Sequence, residues 1–226
     1  MFLDIKNMKF SKKLEPAKAM TTPGHMLFAR DKISKANIVV KEYQVFKHPA
    51  QYVHMKGDKH YYEIINDLQC LYMDIDIPTS NTINNTIVTS FIDALEKHCK
   101  LSYDTDVNIY SSNVSSKYSY HIILRHIAVK DNTQCRQRIT DLLSTFDNEM
   151  KQYIDMKVYR KNQLLRLIHS SKIGKDNVKI FVRGSNPSFM DSLVVPHNIR
   201  GLCVLNDLNI AYDILPIRMQ VCNKLY

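Results

Sequence analysis

The chain has 226 residues, 45% hydrophobic and 23% charged, enough to bury a substantial core and ordinary for a globular domain. Against 22 Asp and Glu stand 31 Lys and Arg, and the net charge of +9 with a pI near 9.2 favours a polyanionic partner, nucleic acid above all. No run of about 18 apolar residues exists to span a membrane, and the charge-laced start MFLDIKNMKFSKK lacks the apolar stretch of a secretory signal.

Five cysteines, at 70, 99, 135, 203 and 222, are odd in number and form no CxxC pair. That usage excludes a disulfide frame, gives no pattern for a structural zinc, and predicts an intracellular, reducing compartment, nucleus or cytoplasm. Only five glycines occur, with no repeat and no low-complexity linker, so the chain reads as a single compact unit. Within it, residues 1–58 read as an amino-terminal part and 59–226 as the core.

In chain order, NIVVKEYQVF (37–46) and HYYEII (60–65) predict strands, followed by LYMDIDI (71–77). NNTIVTSFIDALEKHC (84–99) carries Ile87, Phe91, Ile92 and Leu95 at helical spacing. DVNIYSS (106–112) and KYSYHIIL (117–124) predict a strand pair joined by the polar NVSS. One long helix is expected over 131–153, capped by Asp131 or Asn132, with Cys135, Ile139, Leu142, Leu143, Phe146 and Met150 as its apolar stripe. QLLRLIHS (163–170) and VKIFV (178–182) return to strand, and PSFMDSLV (187–194) to a short helix opened by Pro187. Strands interleaved with helices indicate an α+β, mixed α/β layer fold.

Three constellations carry chemistry. Alternation puts Asp74 and Asp76 on one strand face and Leu71, Met73, Ile75 and Ile77 on the other. Paired carboxylates repel unless a cation intervenes, and oxygen ligands suit Mg²⁺ or Mn²⁺; two solvated aspartates on an edge strand are the plainer alternative. Tyr72 shares their face, within reach of a sugar, although packing is its simpler role. Lys117, Ser119 and His121 alternate onto one face, with Tyr118, Tyr120 and Ile122 on the other, and offer an ammonium, a hydroxyl and an imidazole to phosphate oxygens. In YIDMKVYRKNQLLRLIHSSKIGK, Asp155 supplies a third carboxylate, Arg166 interrupts an apolar strand, and Lys172 sits in a small-residue loop before Gly174. A structural ion pair is the plainer role for Arg166. Carboxylates together with several anion-seeking donors are the equipment of metal-dependent phosphoryl transfer.

At these residues the sequence resembles the archaeo-eukaryotic primase superfamily, most closely its primase-polymerase branch, and more loosely the amino-terminal domains of large-virus primase-helicases. HYYEII followed by CLYMDID resembles the family's apolar-strand DxD/E motif, KYSYHIIL its SxH motif with the preceding lysine, and DMKVYRKNQLLRLIHSSKIGK its third motif. The resemblance covers about residues 60–182; the first 50 residues and the tail share only general character. It implies a catalytic core with an RRM-like antiparallel sheet beside an α/β module. Asp74, Asp76 and Asp155 would hold two divalent ions, Mg²⁺ or Mn²⁺, with His121 among the catalytic residues. Lys117, Ser119, His121, Arg166 and Lys172 would bind the nucleotide triphosphate. A single-stranded DNA template, a primer strand and ribo- or deoxynucleoside triphosphates follow as partners, with a helicase domain or other replication proteins, and a viral replication site joins the compartments. Asp76 stands where the animal enzymes often have glutamate, and His197, Cys203 and Cys222 do not form the Cys/His zinc module that de novo priming members carry after the core. Primer extension is therefore the firmer expectation.

The competing reading is a non-catalytic, RRM-like nucleic-acid-binding module. A DxD glycosyltransferase and a metal-dependent nuclease account for the aspartates but not for the triphosphate-type donors.

Overall fold

The computed structural model describes residues 9–22, 24–79, 89–90, 93, 107–184, 188–196 and 203–204. Elements numbered in chain order are β1 (Lys9–Ser11), α1 (Leu14–Ala19), β2 (Met26–Ile33), β3 (Val39–Phe46), α2 (Pro49–Val53), β4 (Tyr61–Ile65), β5 (Gln69–Pro78), β6 (Val107–Ser111), β7 (Lys117–Val129), α3 (Asn132–Leu143), α4 (Asn148–Lys151), β8 (Gln163–Arg166), β9 (Ile180–Arg183) and β10 (Cys203–Val204). They form an α+β fold of two sheets with few helices. The first sheet runs β1-β3-β2-β4-β8 and is antiparallel throughout. In the second, β7 is central: β5 and β6 flank it antiparallel, β9 extends β6, and β10 adds a short parallel pairing. The boundary expected at residue 58 falls inside the first sheet, because β4 and β8 close a layer that β1–β3 begin.

Local chemistry explains the elements that matter here. In β5, Met73, Ile75 and Ile77 are fully buried while Asp74 and Asp76 keep partial exposure, the alternation of a strand with one packed face. Pro49 opens α2 at a position where its missing N–H costs nothing, and His48 Nδ1 accepts the Ala50 N–H at 3.1 Å as the cap. Asp131 caps α3, accepting the Gln134 N–H on Oδ1 at 2.9 Å. The apolar stripe of α3, Cys135, Ile139, Leu142 and Leu143, joins one core with β5, β6 and β7, and Ile65 and Leu165 of the first sheet enter that same core. A second cluster, Phe28, Phe46, Tyr52, Tyr61, Leu167 and Leu193 among it, packs with the first sheet through edge-to-face aromatic pairs.

Several expectations are corrected. The helix expected over 131–153 ends at Leu143 and restarts as α4, because Ser144 Oγ and Thr145 Oγ1 donate to the carbonyls of Asp141 (2.6 Å) and Leu142 (2.7 Å). Phe146 and Met150 are still buried, carried there by the turn. The strand expected over 163–170 stops at Arg166, since His169 adopts a φ of 63°. β7 runs on to Val129, and the helix expected over 187–194 is a single 3₁₀ turn, Met190–Ser192. The expected helix 84–99 lies outside the described residues except for Thr89, Ser90 and Asp93, which are helical. Pro187, His197 and Cys222 also lie outside them. Among the described residues no helix is long and apolar enough to cross a membrane.

Candidate nucleotide and metal site

The β5–β7 register sets Asp74 opposite His121, Asp76 opposite Ser119 and Pro78 opposite Lys117. Cross-strand partners share a face, so both aspartates and the Lys117, Ser119, His121 series line one surface. On the far side of β7, Tyr110 is also opposite His121, and Phe181 of β9 is opposite Tyr110. The free edge of β5 receives the segment that carries the third carboxylate. Asp76 N–H donates to the Tyr153 carbonyl at 2.8 Å, and Asp155 N–H donates to the Asp74 carbonyl at 2.9 Å, around a bridge between Ile75 and Ile154. Asp155, far away in sequence, is thereby fixed beside Asp74.

The carboxylates meet different neighbours. Lys117 Nζ lies 2.7 Å from Asp76 Oδ2. Asp155 caps a 3₁₀ turn, Met156–Val158, accepting the Lys157 N–H on Oδ1 at 2.8 Å. Asp74 Oδ1 is 3.4 Å from His121 Nε2, without hydrogen-bond geometry. Burial, then the charges of Asp76 and Asp155, push the Asp74 carboxyl up to about 7. Burial and the surrounding cations Lys179, Arg166, Lys117 and Lys172 push His121 well below its ordinary value, so it is neutral near pH 7. Asp74 and His121 thus do not form an ion pair of full charges.

Arg166 arrives from the other sheet. It ends β8 opposite Tyr62, is buried, and donates from Nη1 to the Asn177 carbonyl at 2.7 Å. Burial draws its pKa down, while Tyr62, Asp74, Asp76 and Asp31 support its charge. Among the described residues it makes no ion pair, so the structural pair considered for it does not form. Lys172 is exposed on the following loop, where its N–H donates to Asn177 Oδ1 at 3.3 Å, and no side-chain contact joins it to the other site residues. Ser119 is buried, with its N–H on Asn113 Oδ1 at 2.9 Å.

Four buried polar atoms in this region have no hydrogen-bond partner: Asp74 Oδ1, Asp76 Oδ1, His121 Nδ1 and Arg166 Nε. Native interiors rarely leave such atoms unpaired, and orphans gathered at one place mark where a ligand belongs. Among the described residues, no three His, Cys, Asp or Glu side chains are already gathered to hold a metal ion. The orphaned carboxylate oxygens nevertheless fit a hard divalent cation, whose charge would relieve the repulsion that raises Asp74.

Sequence reading missed two charged residues here. Lys179 is 1% exposed, with Nζ 2.8 Å from the Arg166 carbonyl and 5.1 Å from the centre of the Tyr110 ring. Glu63 of β4 is buried and accepts the N–H groups of Val194 (2.8 Å) and Val195 (2.7 Å). The available signal was the one that singled out Arg166: a charge flanked by apolar residues, here in VKIFV and YYEII. Tyr72, expected on the aspartates' face near a sugar, is fully buried and donates its hydroxyl to the Val158 carbonyl at 2.8 Å, a packing role. The chain matches no model of a known protein family, and no curated protein matches it.

Proposed function

We propose that the chain is a template-directed nucleotidyltransferase, a DNA primase-polymerase that adds nucleotides to a primer or starting nucleotide with release of pyrophosphate. In this reading the β5–β7 sheet is the RRM-like part of a primase-type core. The observation that carries it is the set of four orphaned polar atoms, oxygens of Asp74 and Asp76 and nitrogens of His121 and Arg166, with the first three residues on one face of the β5–β7 pair. That division suits a metal-bound triphosphate: oxygens for cations, nitrogens for phosphate.

Asp74, Asp76 and Asp155 would hold Mg²⁺ or Mn²⁺, which when bound supplies Lewis-acid activation of the attacking hydroxyl and neutralises the departing pyrophosphate. Arg166 is desolvated and preset by the Asn177 carbonyl, so its remaining N–H groups meet phosphoryl oxygens with little reorganisation. His121, neutral, has one N–H to give and adds no charge that would compete with a metal. Lys117 bridges to Asp76, and its ammonium would serve the triphosphate where that carboxylate holds a cation instead. Lys172, exposed, reaches the phosphate tail from its loop. Single-stranded template and primer backbone bind through the excess positive charge, and a helicase or other replication protein works beside this core.

The test is incorporation of ribo- and deoxynucleotides on primed and unprimed single-stranded DNA with Mg²⁺ or Mn²⁺. Asp74→Ala and Asp155→Ala are each expected to lower incorporation by at least ~100-fold; full activity in both would falsify the assignment. The non-catalytic RRM-like reading draws on the Lys117–Asp76 bridge, which already neutralises one carboxylate. It requires tight template binding by the wild-type chain with no incorporation under either metal.

A further inference from the structure

Lys179 has no role in the chemistry above, and its position is costly. An ammonium buried to 1% exposure, with a backbone carbonyl and a ring face as neighbours, loses hydration that methionine or leucine would never have needed. Its main chain is fixed to the strand end of the site: Lys179 N–H donates to the Ser170 carbonyl at 2.9 Å, and His169 N–H donates to the Lys179 carbonyl at 2.7 Å. Two residues earlier, Asn177 accepts Arg166 Nη1 on its carbonyl and the Lys172 N–H on its side chain. The short segment 177–179 therefore touches both phosphate-type donors contributed by the third motif.

The ammonium also lies where the two sheets meet. Tyr110, whose ring it overlies, is the cross-strand neighbour of His121, which in turn stands opposite Asp74. The charged or titratable groups in its field are Glu63 from β4, Asp74 from β5, Tyr110 from β6, His121 from β7 and Arg166 from β8. Among the described residues none forms an ion pair with it. Glu63, and after it Asp74, support its charge without pairing to it.

We propose that Lys179 is a positioning residue for polyphosphate: its buried ammonium holds the Arg166 carbonyl and supplies positive charge to the anion site. This rests on the nucleotide-binding reading and assigns Lys179 the task of presetting Arg166 and drawing in the triphosphate. Burial lowers the ammonium's pKa, so an arriving anion favours its charged form.

The experiment measures binding of inorganic tripolyphosphate to the full chain by calorimetry, with thymidine as an uncharged control. Lys179→Met removes the charge at nearly constant volume, and Lys179→Gln removes it while keeping a polar N–H donor on a shorter side chain; the second serves if the first does not fold. Lys175→Met, an exposed lysine on the same loop, is the surface control. Both Lys179 variants are expected to bind tripolyphosphate at least about tenfold more weakly, and Lys175→Met to change it less than about threefold. In primer extension, KM for the nucleotide rises about tenfold while kcat stays within about threefold. A merely structural residue would lower the melting temperature without this selective loss of anion affinity. Unchanged tripolyphosphate affinity in a folded Lys179 variant overturns the inference, as does a wild-type chain that binds none. Lys179-dependent binding without any nucleotide incorporation keeps the inference and overturns the polymerase reading. Incorporation with unchanged KM in the variants does the reverse.

Discussion

Asp74 is where the electrostatic cost of the site concentrates. Its folded-state pKa lies near 7 against an ordinary 3.8, so the folded chain binds that proton more tightly than the unfolded chain does. The penalty is absent below about pH 4, grows toward about pH 7 and is complete above it. Asp74→Asn removes the charge at nearly constant shape. We expect it to raise the melting temperature above pH 7 by about 2–4 °C for each kcal/mol recovered, and to flatten the loss of stability between pH 4 and 7. On the proposed function, divalent cation is expected to stabilise the wild type and not the variant, which differential scanning calorimetry with and without Mg²⁺ reads directly. A variant no more stable than wild type at pH 8 would mean that Asp74 is already compensated. Tyr72 gives the opposite case, a residue near the chemistry that takes no part in it. Its hydroxyl donates to Val158 and its ring lies 5.2 Å from that of Tyr159, whose own hydroxyl donates to the Tyr72 carbonyl. Tyr72→Phe should cost about 0.5–1.5 kcal/mol in urea unfolding and leave the ribo- against deoxynucleotide preference unchanged; a changed preference would return Tyr72 to the sugar.

Among the elements, those with strong local signals were legible and those defined by partners were not. β5 and the start of β7 followed from alternation, and α3 from its stripe and the Asp131 cap, because these depend on period and neighbours alone. The end of α3 was not legible from the stripe: Phe146 and Met150 continue the apolar pattern, yet side-chain competition at Ser144 and Thr145 breaks the backbone ladder. β2 escaped notice because Arg30, Asp31 and Lys32 mask its alternation, and only pairing to β3 and β4 on both sides defines it. β9 shows how tightly such partner-defined elements are fitted. Gly184 ends it at a φ of 135°, and a Cβ there would stand 2.3 Å from Asn108 Oδ1 and 2.5 Å from the Val107 carbonyl. Gly184→Ala should therefore cost about 2–4 kcal/mol and loosen β9 from β6. Faster hydrogen exchange at Phe181 and Val182 than at β7 amides is the expected signature. Because Lys179 directly precedes β9, the same variant should also weaken tripolyphosphate binding.

At the scale of the molecule, the site exists only because two sheets close on each other. Asp74, Asp76, His121, Ser119 and Lys117 belong to the second sheet, while Arg166 returns along the chain to the first, and Asp155 docks on β5 from the segment between. The individual residues were legible as charges in apolar contexts, but their meeting was not, since no local pattern states which strand β8 joins. Lys179 and Glu63 carried the same signal, a charge among apolar residues, but what each faces comes only from the tertiary fold. The chain's net charge of +9 makes a separate, metal-independent prediction. Single-stranded DNA should bind through phosphate neutralisation, with log K falling linearly against log salt concentration at about −0.7 per phosphate contacted. Four contacts would give a slope near −3, about a 60-fold loss of affinity between 50 and 200 mM salt. Asp74→Asn should keep that slope, because the proposed function gives Asp74 to the metal and the incoming nucleotide and not to the template backbone. Fluorescence anisotropy of a labelled oligonucleotide across a salt series checks it. A slope near zero would place template recognition in base stacking and sink the electrostatic account, whereas a slope that shifts with Asp74→Asn would put the carboxylates in contact with the bound strand.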